Sequence, residues 1–87
     1  MLGKETMVKE LKNTFPAYDR KIRTMTAENF TYEPDKNENT EKVQVIYQNH
    51  TFDMIARPLK RAPHIVILTV YKDGFIYKKA ERVNSLA

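Results

Sequence analysis

The fold is decided by residues 64–80, HIVILTVYKDGFIYKKA, in which an apolar run and a second strand-like run flank the dipeptide Asp73-Gly74. Asp-Gly is a preferred sequence of the two-residue type I′ turn, because both central residues of that turn take a positive φ. We therefore expect a β-hairpin between strands 64–71 and 75–80. The direct register across the turn sets four pairs of residues opposite one another: Lys72 and Phe75, Tyr71 and Ile76, Val70 and Tyr77, and Thr69 and Lys78.

Two more strands are expected before this hairpin. Residues 42–48 and 51–57 alternate apolar and polar side chains, the pattern of strands that bury one face. Asn49-His50 is the predicted turn between them, because Asn tolerates a positive φ. Residues 58–63, PLKRAP, end the pairing, since proline has no amide hydrogen to donate. The sequence predicts a four-stranded antiparallel meander, with the apolar strand 64–71 in a central, buried position.

A helical pattern precedes the sheet. Along residues 4–28, apolar side chains recur at steps of three and four positions: Val8, Leu11, Phe15, Tyr18, Ile22 and Met25. This spacing places all six on one face of a helix, which we call the helix stripe. Pro16 interrupts the pattern, because it lacks an amide hydrogen and its ring clashes with the carbonyl four residues earlier. We expect one helix kinked at Pro16, or two nearly collinear helices, packed on the sheet.

Charge separates the chain into segments. Residues 31–41, TYEPDKNENTE, carry four acidic side chains against one lysine and include Pro34. We expect this segment to be a solvated acidic connector between the helical half, residues 4–28, and the antiparallel sheet, residues 42–80. The net charge of the 87 residues is +4, and the excess of basic residues is concentrated after residue 41.

The tail, residues 81–87, either extends the fourth strand or forms a short helix. The spacing of Ala80, Val83 and Leu86 fits a helix slightly better. Helix and sheet together predict a two-layer α+β fold, with residues 1–87 in a single domain. One helical layer leaves the second face of the sheet uncovered. Six apolar side chains are candidates for a patch on it: Val45, Tyr47, Phe52, Met54, Val66 and Val70.

Composition excludes several classes of function. The chain contains no cysteine, so disulfide frameworks, cysteine-ligated zinc and thiol chemistry are excluded. Its two glycines are isolated, which excludes a glycine-rich phosphate loop, and Ser85 has no hydrolase motif around it. We expect no cofactor and no metal. No apolar stretch is long enough to cross a membrane and the first residues have no secretory pattern, so we expect a cytoplasmic protein without membrane contact.

Two histidines, His50 and His64, are the candidates for acid–base chemistry. Imidazole groups serve widely as general acids and bases, and the nearby cations Lys60 and Arg61 would stabilise negative charge on a phosphate. These are the ingredients of a metal-free ribonuclease of toxin type. The structural alternative is that both histidines are ordinary polar residues at turns.

Basic and aromatic side chains gather in the second half of the sequence. Eight of them form the predicted binding set: Arg57, Lys60, Arg61, Lys72, Phe75, Tyr77, Lys78 and Lys79. Cations interleaved with aromatic residues are typical of proteins that bind single-stranded nucleic acid. Lysine also protects edge strands against aggregation, and aromatic residues are ordinary strand formers.

These features favour a small, non-enzymatic regulatory or inhibitory accessory protein of the kind that phages and mobile elements encode. We expect it to bind a macromolecule, in the first place a protein, through the eight residues named above. The alternative is RNA or DNA binding by the same surface, and the third hypothesis is the ribonuclease that uses His50 and His64. A homodimer through the uncovered sheet face or the helix stripe is a further expectation, because apolar patches on small proteins usually mark association.

Overall fold

The computed structural model describes residues 1–14 and 20–84, and in them five antiparallel strands follow two short helices. The elements are α1 (Lys4–Lys12), α2 (Arg20–Thr24), a 3-10 turn (Ala27–Asn29), β1 (Thr31–Asp35), β2 (Thr40–Tyr47), β3 (His50–Leu59), β4 (Ala62–Lys72) and β5 (Phe75–Val83). Each strand pairs with the next, so the sheet is a meander in the order β1-β2-β3-β4-β5. The predicted α+β class and antiparallel meander are confirmed, but the number of strands is five, not four.

The additional strand is β1, which lies where the acidic connector was expected. The prediction for residues 31–41 is wrong because β1 is an edge strand and pairs only with β2. An edge strand accommodates Pro34 and charged side chains, since one side of its backbone needs no partner. Asp35 closes the turn that follows: its carboxylate accepts hydrogen bonds from the amides of Asn37, at 3.0 Å, and Glu38, at 3.2 Å.

The turn between β2 and β3 is one residue earlier than predicted. Gln48 and Asn49 have φ values of 50° and 65°, so they, and not Asn49-His50, are the central residues. Tyr47 therefore lies opposite His50, and Val45 lies opposite Phe52. Each residue of β2 has a partner two positions away from the predicted one. Because side chains alternate with a period of two, this shift leaves the same side chains together on each face of the hairpin.

The hairpin of β4 and β5 confirms the type I′ turn, with φ values of 51° at Asp73 and 87° at Gly74. The first two predicted pairs, Lys72 with Phe75 and Tyr71 with Ile76, are also confirmed. The other two pairs are wrong because a β-bulge at Tyr77 adds one residue to β5. As a result, Val70 lies opposite Lys78 and Thr69 lies opposite Lys79.

The strand β5 continues to Val83, so residues 81–83 are strand and not the beginning of a helix. Leu86, on which the predicted short helix partly depended, lies outside the described residues.

The helical half is shorter than predicted. The helix α2 ends at Thr24, whereas the apolar spacing indicated a helix to residue 28. The Thr24 hydroxyl donates to the Lys21 carbonyl at 3.1 Å, and the Met25 amide donates to the Ile22 carbonyl at 3.2 Å. Such three-residue bonds tighten and close the last turn of a helix. The predicted kink at Pro16, with its neighbours Phe15 and Tyr18, lies outside the described residues.

The core lies between the helices and one face of the sheet. Its buried side chains are Met7, Val8, Leu11, Ile22 and Phe30 before the sheet, and Val43, Val45, Phe52, Met54, Ala56, Val66, Leu68 and Val70 within it. The stripe residues Val8, Leu11 and Ile22 are buried in this core, so they are not available to a second copy. The expected patch on the uncovered face is also wrong: five of its six side chains are buried in the core, and the sixth, Tyr47, packs against it.

Glu41 holds the start of α1. Among the described residues, it is the one charged residue that is buried. Its carboxylate accepts hydrogen bonds from the amides of Leu2 and Gly3, both at 2.7 Å, and from the Tyr32 hydroxyl at 2.8 Å. A carboxylate at a helix N-terminus also interacts favourably with the helix dipole. Glu41 thus joins α1 to β1 and β2. Near the opposite edge of the sheet, Arg82 of β5 donates to the carboxylate of Glu10 in α1.

The contact between Tyr32 and Glu41 predicts an alkaline loss of stability. Burial, then the hydrogen bond to Glu41 and its charge, raises the pKa of Tyr32 to about 12. An unfolded tyrosine titrates near pH 10, so the folded state holds this proton more tightly. The resulting stability is complete below pH 10 and is lost as the pH rises from 10 to 12. Because Tyr32 is partly exposed, solvent screening reduces this effect. In urea titrations over this window, we expect the free energy of unfolding of the wild type to fall by about 1 kcal/mol more than that of Tyr32→Phe. Equal falls in the two proteins would contradict the contact.

Candidate functional site

No element within residues 1–14 and 20–84 covers the face of the sheet opposite the helices. Every buried side chain of the strands points toward the helices, and the alternate side chains are half-buried or exposed. We call this second surface the open face. Its side chains in β2 to β5 include Lys42, Ile46, Asp53, Ile55, Arg57, Ile67, Tyr71, Ile76, Lys79, Glu81 and Val83.

Aliphatic side chains are exposed along the open face. Ile46, Ile76 and Val83 are 65 %, 61 % and 66 % exposed. Ile55 and Ile67 lie between them on the central strands and are half-buried. Together with the charged ends of Arg57 and Lys79, the central side chains line a shallow concavity that is open to solvent. The face therefore offers an apolar surface with a slight hollow at its centre.

Charges of both signs lie among these aliphatic side chains. Lys42 lies 4.0 Å from the carboxylate of Asp53, which also accepts a hydrogen bond from Gln44 at 2.8 Å. The remaining charged side chains of the face are Glu33, Asp35, Arg57, Lys79 and Glu81. Three basic and four acidic groups give the open face no excess of positive charge.

The eight predicted binding residues do not form one patch. Arg57 and Lys79 lie on the open face. Lys60 and Arg61 form the exposed turn between β3 and β4, while Lys72, Phe75 and Tyr77 lie at the far end of the last hairpin. These two ends of β4 are roughly 30 Å apart, given about 3.3 Å per residue in a strand. Lys78 lies opposite Val70 and points to the helix side of β5.

The tip of the last hairpin carries two exposed aromatic side chains. Phe75 is 80 % exposed and Tyr77, the bulge residue, is 43 % exposed. The ammonium group of Lys72 lies 5.9 Å from the centre of the Phe52 ring, on the helix side of the sheet. Aromatic and basic groups therefore meet at this tip, but the basic turn at Lys60 lies at the other end of the sheet.

His50 belongs to a contact between two turns. Its Nδ1 donates to the carboxylate of Asp73 at 2.7 Å, and the other oxygen of Asp73 accepts from the Thr51 amide at 2.8 Å. The Asp73 amide returns a bond to the Thr51 carbonyl at 2.8 Å. The hydrogen bond from the Thr51 amide lowers the pKa of Asp73 below its usual range, and the hydrogen bond from His50 adds a smaller effect in the same direction. This arrangement ties the turn after β2 to the turn after β4.

His64 lies near the opposite end of β4, where its carbonyl accepts a hydrogen bond from the Asn84 amide at 2.7 Å. The two imidazoles are thus separated by most of the length of β4, and a general acid and base must both reach the same phosphate. The structure does not bring His50 and His64 together. Among the described residues, no group of three His, Cys, Asp or Glu side chains is placed to hold a metal ion.

Neither the helices nor similarity to known proteins indicates a function. None of the helices in residues 1–14 and 20–84 has the length and apolarity that crossing a membrane requires. No family model, no curated protein and no solved structure matches the chain. The open face and the hairpin tip are therefore the candidate functional surfaces of the described residues.

Proposed function

We propose that the protein is a small non-enzymatic regulator or inhibitor that acts by binding a partner protein on the open face of its sheet. The observation that carries this proposal is the aliphatic surface of that face, with Ile46, Ile76 and Val83 more than half exposed. Exposed apolar side chains that share one face of a small protein often mark the surface on which another molecule docks. A partner that fits would present an apolar ridge with charges of both signs beside it.

The chemistry of the open face favours a protein over a nucleic acid. Nucleic-acid surfaces combine a positive field with aromatic rings on which bases stack. The open face has no excess of positive charge, and isoleucine side chains surround Tyr71, the aromatic residue that lines its central hollow. Protein interfaces, in contrast, have an apolar centre and a polar rim.

Two neighbouring residues provide the test. Ile76 and Phe75 lie in the same hairpin, both are more than half exposed, and their side chains belong to opposite faces. Neither Ile76→Glu nor Phe75→Glu removes a buried contact, so both variants should fold. We expect a partner captured from the native host by the wild type and by Phe75→Glu to be lost with Ile76→Glu. Titration calorimetry with the purified partner should then show at least a tenfold weaker binding for Ile76→Glu.

The opposite pattern would support nucleic-acid binding at the hairpin tip, where the exposed rings of Phe75 and Tyr77 lie near Lys78. In that case Phe75→Glu would lose binding, Ile76→Glu would keep it, and nuclease treatment would abolish the capture. The affinity for a labelled oligonucleotide would also fall steeply with the logarithm of the salt concentration. Capture that resists nuclease and survives in both variants would contradict both interpretations.

A further inference from the structure

The sheet has two edges, and they differ in what they offer to another strand. The edge strand β1 is five residues long and contains Pro34, which cannot donate a hydrogen bond. Short strands that contain proline are typical of edges that resist pairing. The edge strand β5, Phe75–Val83, is nine residues long and has no proline. It is therefore the edge that can accept a further strand.

The backbone groups that face outward from β5 follow from its pairing with β4. The Asn84 amide donates to the His64 carbonyl at 2.7 Å, which marks these opposite residues as a hydrogen-bonded pair. In an antiparallel ladder, hydrogen-bonded and non-hydrogen-bonded pairs alternate. The amides and carbonyls of Val83, Glu81 and Lys79 consequently point away from β4. Within the described residues no strand lies on that side.

The bulge at Tyr77 limits the usable part of this edge. A bulge bends and twists its strand, so regular pairing is favoured only beyond it. The regular segment contains Lys78, Lys79, Ala80, Glu81 and Arg82, followed by Val83. On the open face of this segment, Lys79 and Glu81 are consecutive side chains of opposite charge.

We propose that β5 pairs in antiparallel orientation with β5 of a second copy of this chain, about a two-fold axis at Ala80. In this register Lys79 of each copy lies opposite Glu81 of the other. The outward backbone groups of both residues then form hydrogen-bonded pairs, and two cross-strand pairs of opposite charge stabilise the junction. The two sheets become one continuous sheet of ten strands.

The charges of the open face favour this register over its neighbours. Sliding one copy by two residues in either direction keeps the backbone groups aligned but places Lys79 opposite Lys79, or Glu81 opposite Glu81. Like charges directly opposite one another destabilise a strand pair. On the helix side, Lys78 comes opposite Arg82 of the second copy, whose charge is offset by Glu10. At the axis the small side chains of Ala80 meet, so no bulky group separates the strands.

The pairing would place the two open faces side by side on one sheet, so that a dimer presents two copies of the proposed docking surface. The dimer does not depend on that function, because it uses the edge of the sheet and not its face. Oligomeric state and partner capture are separate measurements, and either can fail without the other.

Charge reversal tests the proposal. Sedimentation velocity should show the wild type with twice the chain mass of 10.3 kDa. Lys79→Glu and Glu81→Lys should each weaken dimerisation by about tenfold or more, because both cross-strand pairs become repulsive. The double variant Lys79→Glu/Glu81→Lys exchanges the two charges and should restore the wild-type dimer. Lys60→Glu, which makes the same charge change in a distant turn, should leave the dimer intact.

A mixture of the two single variants gives the sharpest result. Lys79→Glu carries two acidic groups at the junction and Glu81→Lys carries two basic groups, so the mixed pair should form a heterodimer while each variant alone is a monomer. A monomeric wild type at millimolar concentration would overturn the proposal. So would a dimer that neither single variant weakens, since such a dimer must use another surface.

Discussion

Glu41→Gln is expected to lower the free energy of unfolding by about 3 kcal/mol, because it takes an acceptor away from buried hydrogen-bond donors. The two carboxylate oxygens of Glu41 accept from the Leu2 amide, the Gly3 amide and the Tyr32 hydroxyl. Glutamine has nearly the same shape, but its amide group replaces one acceptor oxygen by a donor. Whichever way the amide is turned, at least one of these donors then faces another donor inside the protein.

The measurement is urea unfolding followed by circular dichroism, with Glu38→Gln as the matched control. Glu38→Gln makes the same chemical change in the exposed turn after β1, and we expect this substitution to alter the free energy of unfolding by less than about 0.5 kcal/mol. Hydrogen exchange should also become faster at the amides of Leu2 and Gly3 in Glu41→Gln. Equal stability of the two variants would show that Glu41 does not hold the start of α1.

A double-mutant cycle separates the parts of this contact. Tyr32→Phe removes only the hydroxyl that donates to Glu41, so its effect and that of Glu41→Gln share one hydrogen bond. We expect the two losses to be non-additive by about 1 kcal/mol, as is usual for residues in direct contact.

The hairpin and the meander were predictable because their signals are local. Asp73-Gly74 defines a turn by the backbone conformation that those two residues adopt, and strand alternation needs only neighbouring positions. The bulge at Tyr77 has no such signal, since Tyr77 sits in an ordinary strand sequence. Edge strand β1 was missed for a related reason: Pro34 and its acidic neighbours are unfavourable in a central strand but acceptable at an edge.

The candidate site was less predictable because it depends on which face of the sheet the helices cover. Each strand offers two alternate sets of side chains, and the sequence placed Val45 and Met54 in the uncovered patch. The structure places them under the helices and leaves Ile46 and Ile55 on the open face. Polarity would have indicated the correct face. The alternate side chains of β2 that include Ile46 also include Gln44, and those of β3 that include Ile55 also include Asp53, as expected for the side that faces solvent. The role of Glu41 had no local signal, because its amide partners lie 38 and 39 residues away along the chain.

The comparison of Met54→Ala with Ile55→Ala tests which face carries the core and which carries the function. The two residues are neighbours in the central strand β3, and their side chains lie on opposite faces. Met54 is fully buried, so truncation should leave a cavity and lower the free energy of unfolding by about 3 to 4 kcal/mol. Ile55 is half-buried on the open face, and its truncation should cost about 1 kcal/mol.

Partner binding should respond in the reverse order. Under conditions in which both variants remain folded, Ile55→Ala should weaken capture of the partner protein, because it removes apolar surface at the centre of the open face. Met54→Ala should bind normally, since its side chain does not reach that face. Urea unfolding of the two variants measures the order of their stabilities, and calorimetry on the same two proteins measures the order of their affinities for the partner. If Ile55→Ala destabilises the protein as strongly as Met54→Ala, the open face is covered in solution by the chain itself, and it cannot also be the surface on which a partner docks.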